Sequence, residues 1–126
     1  MSTMWSIRDR AGFDRVRTTG RSAKVRHLAV NVVVASDGLP VRLGMAVGKP
    51  VGGAVQRNLV RRRLRAIVAE VADQMSGTMV VIRAFPGAAD VSFAELRLSV
   101  QRALAQAHPS GAGRAPSSLE SGALVP

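Results

Sequence analysis

The sequence predicts an α+β fold in one domain, with elements in the order helix, strands, helix, strand, helix and the helices laid over one sheet face as a two-layer sandwich. Three observations carry this. Two short Val-rich runs, LAVNVVVA at 28–35 and VRLGMAV at 41–47, have the length and β-branched character of strands. One apolar stripe at helical spacing runs through 54–75. Ser92 stands three residues before Glu95, the signature that opens a capped helix. At 126 residues the chain has material for one core, and two domains would need more.

Taken in order, residues 9–19, DRAGFDRVRTT, read as a short helix with Phe13 and Val16 on one face. Gly20 follows where a left-handed C-cap is expected, and Gly12 is the weak point inside. The runs 28–35 and 41–47 are separated by SDGLP, whose Asp37-Gly38 pair supplies a turn, so they are expected to form an antiparallel hairpin. After GKPVGG, residues 54–75 form the strongest helix: Val60, Leu64, Ile67, Val68, Val71 and Met75 fall on one stripe that must face a sheet. TMVVIRAF at 78–85 is a further strand, bounded by Gly77 and Pro86-Gly87. From Ser92 a helix runs through about Gln106 with Phe93, Leu96, Val100 and Leu104 inward. Residues 1–107 are expected to be the folded domain, and 108–126, rich in Pro, Gly, Ser and Ala, a disordered tail.

Charge narrows the partner. Eighteen Lys and Arg against eight Asp and Glu give a formal +10, which favours a polyanionic ligand such as nucleic acid. The excess is local: residues 1–65 hold 14 basic and 3 acidic side chains, whereas 66–126 hold 4 and 5. The absence of Cys excludes disulfides, thiolate metal sites and a cysteine nucleophile, and it suits a reducing compartment. No signal-peptide h-region or membrane-length apolar run is present, so a cytoplasmic protein without membrane contact is expected.

The densest chemical signal is AVQRNLVRRRLRAI, in which five Arg fall within residues 57–65 and no acid offsets them. At ~100° per residue, Arg57, Asn58, Arg61, Arg62 and Arg65 sweep an arc of about 140° beside the apolar stripe, with Arg63 on the other flank. A solvated helix face is the ordinary alternative, but such faces interleave Glu with Lys or Arg, and like charges at i, i+4 destabilise a helix. Arg is used throughout, and its planar fork suits phosphate. Gly52-Gly53 lets a backbone approach the helix N-terminus, whose free N–H groups favour anions. Lys49 adds a point charge just before it. GKPVGG is neither a Walker loop nor GxGxxG, so nucleotide binding is not indicated.

The stretches RAGFDRVRTTGR and RLGMAVGKPVGGAVQRNLVRRRLRAI resemble the bacterial ribonuclease P protein family, which carries an Arg-Asn pair and spaced basic residues on a long helix after a Lys-x-x-Gly-x-Ala-Val lead. The resemblance covers roughly residues 8–105. It implies a fold like the second domain of a small-subunit ribosomal protein, with a left-handed βαβ crossover. It also implies two RNA surfaces. Lys49, Arg57, Asn58, Arg61, Arg62 and Arg65 would bind a catalytic RNA. Phe13, Arg17 and Asn31 would line a cleft for the 5′ leader of precursor tRNA, although family members often have aromatic residues where this chain has Arg17 and Asn31. Further departures are Gly48 and Pro50 beside Lys49, Gly53, and Ala66 after the last motif Arg. On this resemblance the chain joins one catalytic RNA, Mg²⁺ is bound mainly by that RNA, and the protein alone is inactive.

The residues themselves agree with a binding role. Eight carboxylates lie scattered singly, His27 and His108 are isolated, and no acid–base pair or metal cluster is legible, so catalysis by the chain itself is not expected. His27 reads as an exposed or hydrogen-bonded residue at a strand start. A ribosomal or ribosome-assembly RNA-binding protein of the same domain type is the alternative. Site-specific DNA binding is weaker, because no helix-turn-helix pair precedes residue 54.

Overall fold

A computed structural model describes residues 4–7 and 9–108. The tail predicted at 108–126 therefore lies, apart from His108, outside the described residues. Among the described residues, three α-helices and one mixed sheet make up the fold: β1 (Met4–Ser6), α1 (Arg10–Thr19), β2 (Arg21–Val25), β3 (Leu28–Val34), β4 (Val41–Ala46), α2 (Ala54–Glu70), β5 (Thr78–Ala84) and α3 (Phe93–Ala107). Short 3₁₀ turns occupy Lys49–Val51 and Ala72–Met75, so the predicted helix 54–75 ends at Glu70 and finishes as a tighter turn. Val60, Leu64, Ile67 and Val68 are fully buried, each contributing ~1.5–3 kcal/mol of apolar burial.

Strand order is β1-β4-β5-β3-β2. The expected hairpin is thus corrected: β3 and β4 do run antiparallel to each other, but β5 lies between them, antiparallel to β3 and parallel to β4. Met79–Ile82 of β5 are buried one after another, so this strand is apolar on both faces and takes a partner on each side. The 35–40 loop clasps its start. Ala35 and Ser36 donate N–H bonds to the Gly77 carbonyl at 2.7 and 3.1 Å, and Gly77 N–H donates to the Leu39 carbonyl at 2.6 Å. Gly77 adopts φ 76°, a conformation that favours glycine. The Asp37-Gly38 turn exists, but it spans a strand instead of closing a hairpin. Asp37 accepts from Leu39 N–H at 3.1 Å and from Arg42 Nη2 at 2.7 Å.

Helices cover both sheet faces, which corrects the two-layer expectation. Val80 and Ile82 of β5 join Leu28, Val30 and Val32 of β3 under α2 and α3 in the main core. Met79 and Val81, on the alternate face, pack with Ile7 and with Val16 of α1. The edge strands β1 and β2 had no clear sequence signal, β1 being only three residues long and β2 largely polar. The capping box at Ser92 is present, with Glu95 N–H donating to Ser92 Oγ at 3.1 Å. Leu96, Val100 and Leu104 are buried as expected, but Phe93, the first residue of α3, is 38% exposed because the helix starts there and its first turn overhangs the core.

Gly20 is not a left-handed cap. Its φ is −80°, in the extended region, and the reason for glycine is space: a Cβ would sit 2.5 Å from the Val16 carbonyl oxygen and 2.8 Å from that of Val32. Gly20→Ala is therefore expected to destabilise the fold by ~1–3 kcal/mol, read as a lower urea midpoint, since backbone on both sides must shift. A left-handed cap would have predicted a cost from conformation, not from crowding.

Asp37 gives a pH signature. The Leu39 N–H, and then the Arg42 guanidinium, hold its carboxyl below the ordinary aspartate value of 3.8. A group with a lowered folded pKa contributes its stability above the unfolded value and loses it as pH falls through the folded one. The difference in melting temperature between the chain and Asp37→Asn should accordingly be full at pH 6–7 and close as pH falls from about 4 towards 2, and a difference independent of pH would remove this assignment.

Candidate RNA interface

β4 and β5 are parallel neighbours, so the chain must cross over between them, and α2 is that crossover. Its N-terminus follows the 3₁₀ turn that leaves the C-terminal end of β4. Gly53 takes the N-cap position without a side-chain hydrogen bond, which leaves the first N–H groups of α2 uncapped by side chains. Gly52 has φ 153°, and a Cβ there would meet Gln56 Cβ at 2.9 Å, so this turn is built for glycine on both counts.

The sequence-predicted basic residues fall together on this helix end. Lys49, Asn58, Arg62 and Arg65 are exposed, and Arg57 and Arg61 are half-buried. Arg61 is held in place: Nη2 donates to the Val47 carbonyl at 3.2 Å and Nη1 to Asn58 Oδ1 at 3.3 Å. Asn58, a poor helix former, is there as an acceptor that orients Arg61. Arg57 Nε is buried with no hydrogen-bond partner among the described residues. Arg63 turns away, as expected, and donates to the Val91 carbonyl at 3.0 Å before α3. None of these arginines is within ion-pair distance of a carboxylate among the described residues; the acid at the far end of the helix, Glu70, is engaged by Arg97 Nε at 2.7 Å. The result is a concentrated positive surface with no counter-charge among the described residues.

The second predicted set lies on the α1 side of the sheet. Phe13 is half-buried over Gly44, where a Cβ would come 2.7 Å from its ring. Gly44 and Asn31 both pair with Val81, so Phe13 and Asn31 stand on one row of this face, two strand spacings or about 10 Å apart. Arg17 is exposed on α1, with Nη1 4.0 Å from Asp14. These three share a face without touching one another in any hydrogen bond or ion pair. His27 lies in the β2–β3 turn beside Gly87 and its backbone carbonyl accepts the Phe85 N–H at 2.8 Å; it is a structural position.

One group escaped the sequence. Phe85 ends the β5 run on the same face, with Lys24 Nζ 5.4 Å and the Arg83 guanidinium carbon 5.6 Å from its ring centre. Lys24 belongs to β2, which was not recognised as a strand, so nothing indicated that it reaches β5. Alternation within Arg83-Ala84-Phe85 was the available signal.

Comparison with known proteins bears on the family and the fold. The family model described as Ribonuclease P matches residues 1–108. The Ribonuclease P protein component of Beutenbergia cavernae is 43% identical over 93 residues, covering 73% of this chain and 78% of that one. That of a Nocardioides species is 42% identical over 109 residues, covering 82% and 92%. Among solved structures, the Staphylococcus aureus RNase P protein superposes with a TM-score of 0.73 at 25% identity, over 79% of this chain and 92% of that chain. The Thermotoga maritima RNase P protein, at 24% identity and TM-score 0.67, shares the fold.

An uncompensated arginine surface should respond to anions before any partner is added. Sulfate or phosphate that binds only the folded state stabilises it by RT ln(1 + [L]/Kd), ~2.7 kcal/mol at a hundredfold excess. Melting temperatures at matched ionic strength are expected to rank phosphate and sulfate above chloride, with the gap reduced in Arg57→Gln. Equal melting temperatures in all three salts would mean that no specific anion site exists.

Proposed function

The chain belongs to the ribonuclease P protein family, and from that membership we propose that it works as the protein subunit of a ribonuclease P ribonucleoprotein in endonucleolytic removal of the 5′ leader from precursor tRNA. The observation that carries the proposal is the α2 surface, where Lys49, Arg57, Asn58, Arg61, Arg62 and Arg65 gather with no carboxylate among the described residues to neutralise them. We assign it to the catalytic RNA. Phosphates replace the missing acids, Arg61 and Asn58 offer a pre-set fork, and the uncapped N-terminus of α2 contributes partial positive charge.

The α1 face is assigned to the single-stranded leader, with Phe13, Arg17 and Asn31 towards it. Phe13 offers an aromatic face, Asn31 an amide that can donate or accept, and Arg17 a charge for phosphate or a plane for a base. Because the parallel strands β4 and β5 end on the same side, the α2 surface and the end of this face adjoin through Val47, which follows Ala46 opposite Arg83. One protein can therefore engage both polyanions.

Catalysis is assigned to the RNA. Among the described residues no group of three His, Asp or Glu side chains comes close enough to hold a cation, so the proposal places Mg²⁺ mainly on the RNA and leaves the protein alone inactive. The protein's contribution is electrostatic and positional: it lowers repulsion between two polyanions and holds the leader so that the scissile phosphate is presented. The proposal also includes one protein per RNA, a cytoplasmic location, a folded unit at 1–107, and the left-handed β4-α2-β5 crossover and ribosomal-protein likeness that the family implies. No helix among the described residues is long and apolar enough to cross a membrane.

Arg65 is the cleanest probe, because it is exposed and makes no hydrogen bond or ion pair among the described residues, whereas Arg61 is half-buried and anchors the β4 exit. Arg65→Ala should lower the magnitude of the log Kd versus log salt slope for the catalytic RNA by about 0.7–0.9. It should also raise the Mg²⁺ needed for cleavage of precursor tRNA by the assembled enzyme, with recovery at high Mg²⁺. An unchanged slope removes Arg65 from the surface, and leader cleavage by RNA-free protein would overturn the proposal.

A further inference from the structure

The α1 face of the sheet is not covered along its whole length. Val16 packs over Met79 and Val81, and Phe13 over Gly44, so α1 shields the rows of the sheet that contain Arg42 and Gly44. The next row, Ala46, Arg83, Ala29 and Lys24, continues towards the C-terminal ends of β4 and β5, and Phe85 follows it. Arg83 and Lys24 are exposed on that row. Val81 to Phe85 is four residues, so Phe85 lies about 13 Å along the strand from the row shared by Phe13 and Asn31.

Two cations approach one half-buried aromatic ring here, at 5.4 and 5.6 Å, and neither is paired with a carboxylate among the described residues. Attraction to the ring at an exposed site is weak, and the two charges repel each other. A ring that served only to fill the core would not draw both, and a charge pair that served only solubility would not converge. The combination of an aromatic face with flanking cations is what a single-stranded nucleic acid requires: a π surface for one base and a positive charge for each adjoining phosphate.

We propose that Phe85, Lys24 and Arg83 form a stacking site for one unpaired base of single-stranded RNA. A base laid on Phe85 displaces the two cations from the ring, and they move onto the phosphates on either side of it. The site rests on the assignment of the α1 face to the leader, and lengthens that path beyond Phe13 and Asn31. It also joins the path to the α2 surface, since Arg83 pairs with Ala46 and Arg61 is bonded to the next residue, Val47.

The test uses the full chain assembled with the ribonuclease P RNA and a set of precursor tRNAs whose leaders grow one nucleotide at a time. The wild-type assembly is expected to gain affinity as the leader grows, and Phe85→Ala to lose one step of that gain, roughly 5- to 150-fold. Phe85→Trp should keep the step. Phe85→Leu, which retains apolar volume without a π face, should lose it and covers the case in which the alanine variant does not fold. An abasic nucleotide at that step should weaken wild type and leave Phe85→Leu unchanged. Lys24→Met and Arg83→Met should each lower the magnitude of the salt slope for leader binding by about 0.7. If Phe85→Leu matches wild type at every leader length while wild type still gains from the leader, the stacking site is overturned and the assignment of function stands. If wild type gains nothing from any leader, that assignment falls and this site with it.

Discussion

Everything in this fold follows from a central strand that is apolar on both faces. β5 cannot sit at a sheet edge or leave a face in water, so it takes β3 on one side, β4 on the other, α2 and α3 on one face and α1 on the opposite one. The 35–40 loop is the fastener, exchanging three backbone hydrogen bonds with Gly77 at the start of the strand. Making β4 and β5 parallel neighbours requires a crossover long enough to return the chain to its starting end, and the arginine helix is that crossover. The position of the basic surface, beyond the C-terminal ends of two strands, is thus a consequence of how the core is closed.

The charge of the arginine cluster does not favour the isolated helix. Like charges three and four residues apart weaken a helix by a few tenths of a kcal/mol per pair, while four buried side chains of α2 supply several times that. The helix is therefore held by its apolar stripe and can carry an unfavourable face. Two side chains are organised in advance, Arg61 by Val47 and Asn58, and Arg63 by Val91. Arg62 and Arg65 are exposed, and the buried Arg57 Nε is a donor still unmatched among the described residues.

Close approach of backbone explains the opposite face. α1 comes near enough to the sheet for Phe13 to rest on Gly44, and it leaves the sheet through Gly20, wedged between the carbonyls of Val16 and Val32. At both positions glycine is chosen for the absence of a side chain, with no demand on φ at Gly20. The helix is thereby confined to part of the face, and the remaining row ends in Lys24, Arg83 and Phe85.

What the sequence alone determined is everything governed by local periodicity and composition. The three helices, the three longer strands, the capping box and the clustering of Arg57 to Arg65 beside an apolar stripe all appear within windows of a dozen residues or so. Membership of the family was legible too, because its motif occupies one helix and the turn before it. Pairing was not. A turn such as Asp37-Gly38 reports that the chain reverses, but a third strand inserted between the two arms leaves the local sequence unchanged. The short edge strands β1 and β2 had too few residues to show a period, and without β2 no inspection of the chain could bring Lys24 beside Phe85, 61 positions away. Tertiary structure alone decided which faces α1, α2 and α3 cover and which distant side chains adjoin, because those are settled by burying the two faces of β5 at once, a condition that no single stretch of sequence expresses.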